Sequence, residues 1–137
     1  MIEFDKEKLS GMKILIVDDT PANLDILGHI LQRSNLNVSF APNGEKALEL
    51  VHQNKPDLIL LDVMMPGIDG YEVCARLKAD TSTKDIPIIF ITALGDTEGL
   101  VKGYNVGAID YIAKPFHEKE VVCRITTQLR LKQAQDE

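Results

Sequence analysis

Short apolar runs alternate five times with amphipathic stretches along this chain, and that alternation limits the folds open to it. The runs are rich in β-branched and aliphatic residues, which is typical of strands buried on both faces of a parallel sheet. The stretches between them carry apolar residues at helical spacing, for example Leu24, Leu27 and Leu31. Strands are predicted at residues 14–17, 37–41, 58–61, 86–91 and 109–113.

Cap residues predict where the intervening helices begin. Thr20 precedes a proline, a pair typical of an N-cap and a first helical residue. Asn43 and Asp69 are further N-caps, and Glu72 follows Asp69 at the spacing of a capping box. The fourth helix, residues 97–106, holds two glycines and is predicted to be mobile, because glycine lowers helix propensity.

Strands that alternate with helices of about 10 to 15 residues indicate βαβ units on a parallel sheet. We therefore predict an α/β fold: a flavodoxin-like, doubly wound sheet of five parallel strands in the order 2-1-3-4-5, with five helices. Its domain is predicted to cover residues 12–132. An N-terminal tail or linker, residues 1–11, precedes it, and a C-terminal helical tail or linker, residues 133–137, follows it.

Acidic side chains directly follow two of the predicted strands. Asp18 and Asp19 close the first run, and Asp62 closes the third. Because ligands collect beyond the carboxyl ends of the strands in open α/β sheets, all three are expected to point into one crevice. Taken alone, Asp18 and Asp19 could equally favour the dipole of the following helix, and a lone aspartate before a turn is usually a turn residue.

Three carboxylates in one crevice repel one another strongly. Two of them about 4 Å apart cost roughly 4 kcal/mol at an effective dielectric near 20. Either the pKa of one carboxyl rises or a cation lies among them. An open site with few protein ligands, all of them oxygen, suits Mg²⁺ best, and we predict Mg²⁺ as the cofactor.

Two further polar side chains follow the other strands at the same edge of the sheet. Thr92 ends the fourth strand and Lys114 follows the fifth. Alone, such a threonine is usually a cap and such a lysine is usually solvated. With the acids, however, they form a set suited to phosphoryl transfer: a carboxylate attacks, a metal and a lysine stabilise charged oxygens, and a hydroxyl donates a hydrogen bond. Asp62 is the predicted nucleophile because it ends the central strand.

Charge and cysteine content exclude several classes of protein. The formal net charge is −6, so the chain lacks the basic surface that nucleic acid requires. Cys74 and Cys123 both fall in helical patterns, without the spacing of a disulfide framework or a metal site. No run is long enough to span a bilayer, and the first residues lack the order of a signal peptide. We therefore predict a cytoplasmic protein that binds neither nucleic acid directly nor a membrane.

Four motifs resemble those of the receiver domain of bacterial two-component response regulators. The resemblance runs from about Lys13 to Leu131, nearly the whole chain, and the combination is highly specific. The motifs are Ile14-Leu15-Ile16-Val17-Asp18-Asp19, Leu60-Leu61-Asp62-Val63-Met64-Met65-Pro66-Gly67-Ile68-Asp69-Gly70, Ile91-Thr92-Ala93 and Gly107-Ala108-Ile109-Asp110-Tyr111-Ile112-Ala113-Lys114-Pro115-Phe116.

The resemblance implies a phosphorylated aspartate beside a metal. Asp62 would accept a phosphoryl group from a phosphohistidine, carried by a histidine kinase or a phosphotransfer protein. Asp19 and Asp62 would bind Mg²⁺ directly, with the backbone carbonyl of Met64 as the third protein ligand. Asp18 would act mostly through a water, and Lys114 would pair with the phosphoryl oxygens.

The resemblance also implies a conformational switch. Thr92 would move to hydrogen-bond a phosphoryl oxygen, and Tyr111 would turn into the space that it leaves. This movement would couple the site to the face formed by the fourth helix, fifth strand and fifth helix. The alternative for Tyr111 is an ordinary half-buried strand aromatic. The Lys114–Pro115 peptide bond would be cis.

At two positions where some family members carry polar residues, this chain carries apolar ones. Met64 stands two residues after Asp62, and Leu94 stands two residues after Thr92. Neither side chain can orient an attacking water, so slow self-dephosphorylation is predicted. His117 is expected to be a cap or surface residue and not a phosphodonor.

Several functions and partners stay open at this point. The alternatives to a phosphorylated receiver are a receiver-like protein-interaction module that works unphosphorylated, an aspartate-nucleophile phosphatase and a flavin-binding domain. Met64 stands where the phosphatase class wants a second acid, and the first strand lacks a flavin phosphate cradle. The chain is expected to transfer phosphate only to its own Asp62 and to hydrolyse it there, without turnover of a free substrate. A homodimer and an effector domain in a longer chain are expectations from the resemblance alone.

Overall fold

Each apolar run predicted as a strand joins one parallel sheet in the computed structural model, which describes residues 9–93 and 95–136. The strands are β1 (Lys13–Val17), β2 (Asn37–Ala41), β3 (Leu58–Asp62), β4 (Ile88–Ala93) and β5 (Asp110–Lys114). The helices are α1 (Pro21–Gln32), α2 (Gly44–Gln53), α3 (Gly70–Ala79), α4 (Thr97–Asn105) and α5 (Glu118–Asp136).

The sheet has the predicted doubly wound topology. Its strand order is β2-β1-β3-β4-β5, and every neighbouring pair is parallel. In register, Val17 pairs with Leu61, and Asp62 pairs with Ile91. The carboxyl ends of β1, β3 and β4 therefore reach the same edge of the sheet, and the predicted fold class is confirmed.

Alternate residues of each strand enter one of two apolar clusters, one on each face of the sheet. Leu15, Val17 and Leu61 pack in the cluster that includes residues of α2 and α3. Ile16 and Leu60 pack in the cluster that includes residues of α1 and α5. Burial on both faces explains why the central strands read as continuous apolar runs in the sequence.

The helix caps follow the sequence with two differences. The Asn43 and Asp69 side chains accept the backbone N–H of the residue three positions on, as predicted. The Glu72 carboxylate, expected to complete a capping box, accepts instead from Nε of Arg76 at 2.8 Å. Thr20 is the N-cap of α1, but its hydroxyl makes no capping bond.

Several element boundaries lie one or two residues from the predicted ones. β4 begins at Ile88 rather than at residue 86, because Pro87 has no N–H to donate to the sheet. β5 runs one residue later than predicted and thereby includes Lys114. α5 continues as one helix to Asp136, across the predicted domain end at residue 132.

Packing on the amino-terminal side begins before the predicted domain start. Leu9 is fully buried in the cluster beneath α1 and α5, so the described part of the predicted tail contributes to the core. Residues 1–8 of that tail lie outside the described residues, and the division into domains stays a prediction. Among the helices that the structure describes, none combines the length and the apolar character that crossing a membrane requires.

Candidate functional site at the carboxyl edge of the sheet

Three carboxylates meet where β1 and β3 end. Asp18 is fully buried and Asp62 is 3% exposed, whereas the side chain of Asp19 is open to solvent. One carboxylate oxygen from each lies within 4.8 Å of the others. The structure thus brings together the three acids that the sequence placed in one crevice. An all-oxygen group of this kind, with one open side, fits a hard divalent cation.

The start of α1 holds the buried carboxylate of Asp18. Its Oδ1 accepts the backbone N–H of Thr20 at 2.9 Å, and its Oδ2 accepts Nδ2 of Asn23 at 3.1 Å. Thr20, which makes no side-chain capping bond, thus contributes to the site through its backbone N–H. Sequence reasoning overlooked Asn23, although an amide in the first helical turn after an acidic pair is a readable signal.

The loop after β3 and the start of α3 position Asp62. The backbone N–H of Met64 donates to Asp62 Oδ1 at 3.3 Å, and the side chain of Met64 is 78% exposed. Gly70, at the first turn of α3, donates its N–H to the carbonyl of Val63 at 2.9 Å. A Cβ at Gly70 would collide with the carbonyl oxygen of Asp62, so only glycine allows this close approach.

Burial and charge raise the pKa of the Asp62 carboxyl from 3.8 to about 7. Loss of hydration is the largest cause, and repulsion from Asp18 comes next. The Lys114 ammonium and the Met64 N–H act in the opposite direction by favouring the carboxylate. Asp62 therefore needs a further positive charge nearby to stay fully ionised at neutral pH.

Lys114 and Thr92 approach the acids from β5 and β4. Nζ of Lys114 lies 3.8 Å from Asp62 Oδ1, and the side chain is 37% exposed. The Lys114–Pro115 peptide bond is cis, as the resemblance implied. Thr92 is buried one residue beyond Ile91, the sheet partner of Asp62, and its hydroxyl donates to the carbonyl of Ala93 at 3.2 Å.

Thr92 and Tyr111 both line a small cavity. It measures about 10 Å³, enough for about one water molecule but not for a phenol ring. Tyr111 is half-buried, and its ring meets Tyr104 of α4 edge-on, with 6.2 Å between centroids. The Arg124 guanidinium lies 5.5 Å from the Tyr111 ring centre. The cavity in this structure is therefore too small to hold the Tyr111 ring.

The histidine and the cysteines considered in the sequence lie outside the acidic site. His117 is exposed just before α5, and its carbonyl accepts the N–H of Val121, which agrees with a surface residue at a helix start. Leu94 lies outside the described residues. Cys74 is buried and Cys123 exposed, both as free thiols.

A parallel sheet with an acidic edge and a lysine beside the central carboxylate defines a class of signalling domains, the receivers. The family model of the response regulator receiver domain matches residues 14–126. This chain belongs to that family.

Known proteins of this family are similar to the chain in sequence and in structure. The chain is 42% identical over 118 residues to the DNA-binding dual master transcriptional regulator RpaA of Synechocystis sp., covering 86% of this chain and 49% of that protein. It is 43% identical over 120 residues to the phosphate regulon transcriptional regulatory protein PhoB of Pseudomonas aeruginosa, covering 88% and 52%. The crystal structure of the signal receiver domain of a signal transduction histidine kinase from Syntrophus aciditrophicus matches with a TM-score of 0.82 and 34% identity, covering 88% of this chain and 91% of that one. The chain spans about half the length of RpaA and PhoB.

Proposed function

We propose that Asp62 is the phosphoacceptor of this receiver domain. One observation carries the proposal: a buried carboxylate lies 3.8 Å from Nζ of Lys114 and within 4.8 Å of two further carboxylates. Burial keeps the Asp62 oxygens out of bulk water, and Lys114 supplies a positive charge where phosphoryl oxygens would gather. This combination favours phosphoryl transfer, in which positioning and charge stabilisation supply most of the catalysis.

The acidic group is proposed to hold Mg²⁺. Asp19 and Asp62 would bind the ion directly together with the backbone carbonyl of Met64, and Asp18 would act through a water. The donors are all oxygen, and the exposed side of Asp19 leaves room for waters, both of which Mg²⁺ prefers. When bound, the ion would supply positive charge that keeps Asp62 ionised and stabilises the transferred group.

The donor is proposed to be a phosphohistidine of a histidine kinase or a phosphotransfer protein. A carboxylate oxygen of Asp62 attacks phosphorus, the phosphorus–nitrogen bond breaks, and the histidine leaves with the electron pair of that bond. Lys114 stabilises the phosphoryl oxygens as their charge shifts. In this proposal the chain acts on its own Asp62 and turns over no free substrate.

Thr92 and Tyr111 are proposed to convert phosphorylation into a change of shape. A phosphoryl group on Asp62 adds strong acceptors, which draw the Thr92 hydroxyl away from the carbonyl of Ala93. The cavity beside Thr92 then opens to the ring of Tyr111, which leaves its contact with Tyr104. α4, β5 and α5 therefore form the face expected to change.

Two partners are proposed: a second copy of the chain, which would bind the face formed by α4, β5 and α5, and an effector domain. Val101, Tyr104 and Ile109 are large side chains exposed on or beside α4 and β5, which supports a homodimer through this face. RpaA and PhoB are named as transcriptional regulators and are about twice as long as this chain, which supports an effector domain in a longer protein.

The cytoplasm is the proposed location. The alternative function is an interaction module that never carries phosphate.

Phosphorylation of the intact chain decides between these functions. Incubation with acetyl phosphate and Mg²⁺ should raise the intact mass by one phosphoryl group, and Asp62→Asn should abolish the gain. Asp25→Asn, an exposed acid on α1 changed in the same way, should behave as the wild type. A wild-type chain that gains no mass at saturating Mg²⁺ would favour the unphosphorylated module.

A further inference from the structure

Asp18 depends on one neighbouring side chain for its orientation. Its carboxylate is fully buried, and each oxygen accepts one donor from the start of α1. The first donor is the backbone N–H of Thr20, which every residue except proline supplies. The second is the side-chain amide of Asn23, at 3.1 Å from Asp18 Oδ2. A substitution can remove this second bond without changing any of the three acids.

The chemistry of Asn23 suits the orientation of a buried carboxylate. Hydrogen bonds to a charged group are stronger than bonds between neutral groups, so the amide fixes the direction in which Asp18 points. An amide donates without bringing a positive charge. A lysine or an arginine at this position would cancel one of the three negative charges that attract a cation. Asn23 therefore orients Asp18 and leaves the charge of the acidic group intact.

We infer that Asn23 is a positioning residue that sets the Mg²⁺ affinity of the site through Asp18, an inference that rests on the proposed function. Partners that orient metal-binding side chains without touching the ion change its affinity by about 10- to 100-fold when they are removed. Because Asn23 acts through Asp18, its loss should weaken metal binding and leave the transfer step nearly unchanged once the metal is bound.

Variants of the full chain separate this role from a merely structural one. Asn23→Ala removes the donor, and Asn23→Leu removes it while keeping a branched side chain of the same number of heavy atoms. Asn23→Gln keeps an amide that can still reach toward Asp18. Gln32→Ala, at an exposed position of the same helix, controls for changes in helix stability. Thermal unfolding in chelator confirms that each variant is folded at the assay temperature.

Two measurements test the inference. Isothermal titration with Mg²⁺ should give an affinity about 10-fold weaker for Asn23→Ala and Asn23→Leu, an intermediate value for Asn23→Gln and the wild-type value for Gln32→Ala. The rate of phosphorylation by acetyl phosphate, followed by intact mass, should show the same shift in half-saturating Mg²⁺. At saturating Mg²⁺ the rates should lie within about twofold of the wild type, because the transfer step is intact.

The possible failures are distinct. Equal Mg²⁺ affinities in the wild type and in Asn23→Ala and Asn23→Leu would overturn the inference and leave the proposed function standing. A rate defect that persists at saturating Mg²⁺ with unchanged affinity would also overturn it, since Asn23 would then act on the phosphoryl group. A wild-type chain that neither binds Mg²⁺ nor gains a phosphoryl group would overturn the proposed function itself.

Discussion

Asp62 stands in a position that favours reactivity over stability. The residue is nearly fully buried beside Asp18, and these surroundings raise its pKa to about 7. An ionised carboxylate there is less stable than the same group in the unfolded chain, where the pKa is near 3.8. Functional sites often hold such unfavourable groups, and substitutions at them commonly stabilise a protein while abolishing its activity.

Asp62→Asn should therefore stabilise the metal-free protein, and the gain should depend on pH. The folded state holds its proton more tightly than the unfolded state, so the wild type loses stability as pH rises from 3.8 to about 7 and no further above that. Asparagine has no proton to lose. The stabilisation should grow by roughly 2 to 3 kcal/mol between pH 5 and pH 8, a little over half of the full linkage.

Urea unfolding of both proteins in chelator at the two pH values measures this difference. Asp25→Asn, an exposed acid, serves as the matched control and should show no such growth. A stabilisation by Asp62→Asn that is equal at pH 5 and pH 8 would contradict the raised pKa.

Met64 is predicted to lengthen the lifetime of the phosphorylated state. Its exposed side chain stands two residues after Asp62 and offers no polar group to orient an attacking water. The double variant Met64→Asn, Leu94→Glu should shorten the lifetime by about 10-fold, because positioned polar groups hold water for attack. Decay of the phosphorylated mass after removal of acetyl phosphate measures it. Leu131→Asn, at an exposed leucine far along α5, should leave the decay unchanged.

At this scale the sequence located the acids, Lys114 and Thr92, because each follows or ends a strand and parallel strands end at one edge. The role of Asn23 could have been inferred from its place five residues after Asp18, because their hydrogen bond is local. The role of Gly70 could not, because its contact with the Asp62 carbonyl arises only when α3 packs against the sheet. The raised pKa of Asp62 likewise depends on burial that spacing does not reveal.

At the scale of elements, α4 packs more closely than its sequence indicated. Its two glycines predicted a mobile helix, and that mobility stays a prediction. The structure gives both a packing role. A Cβ on Gly103 would lie 2.7 Å from the ring of Phe90. One on Gly99 would collide with Oδ2 of the cap residue Asp96 and would lie 2.8 Å from the hydroxyl of Tyr71. That hydroxyl donates to the Gly99 carbonyl at 3.2 Å, so α3 holds α4 near the sheet.

Gly103→Ala should thus destabilise the protein, although alanine is the better helix former. Overpacking against Phe90 costs about 1 to 3 kcal/mol, whereas the gain in helix propensity is about 1 kcal/mol, so a net loss near 1 kcal/mol is expected. Urea unfolding measures it. In a Phe90→Leu background the same substitution should cost less, because the ring is gone. Equal losses in both backgrounds would place the strain elsewhere.

Boundaries were the least predictable property of the elements. The start of β4 shifted because Pro87 donates no hydrogen bond, although Ile86 is buried like a strand residue. β5 gained Lys114 because Ala93 of the neighbouring strand pairs with it. Apolar patterns report burial, whereas strand ends depend on which neighbour supplies a hydrogen-bonding partner.

At the scale of the whole molecule, the core is larger than the predicted domain. Leu9 lies in the region predicted to be a tail but is fully buried. Leu9→Ala should destabilise the chain by about 2 to 5 kcal/mol, the usual cost of truncating a buried leucine. Leu131→Ala, at a leucine that is mostly exposed, should change stability by less than about 0.5 kcal/mol. Thermal unfolding of both variants measures the two effects. Equal small effects would contradict a contribution of Leu9 to the core.

The last helix runs from the carboxyl edge of the sheet to its amino edge. Glu118 begins α5 shortly after Lys114, and Nζ of Lys132 lies 3.9 Å from Oδ1 of Asp57, the residue just before β3. Some 14 residues of helix cover about 20 Å, more than two Debye lengths in physiological salt. The charge of a phosphate on Asp62 would therefore have little direct effect on a reporter fused beyond Asp136, and a signal would reach it through a change of conformation or of assembly.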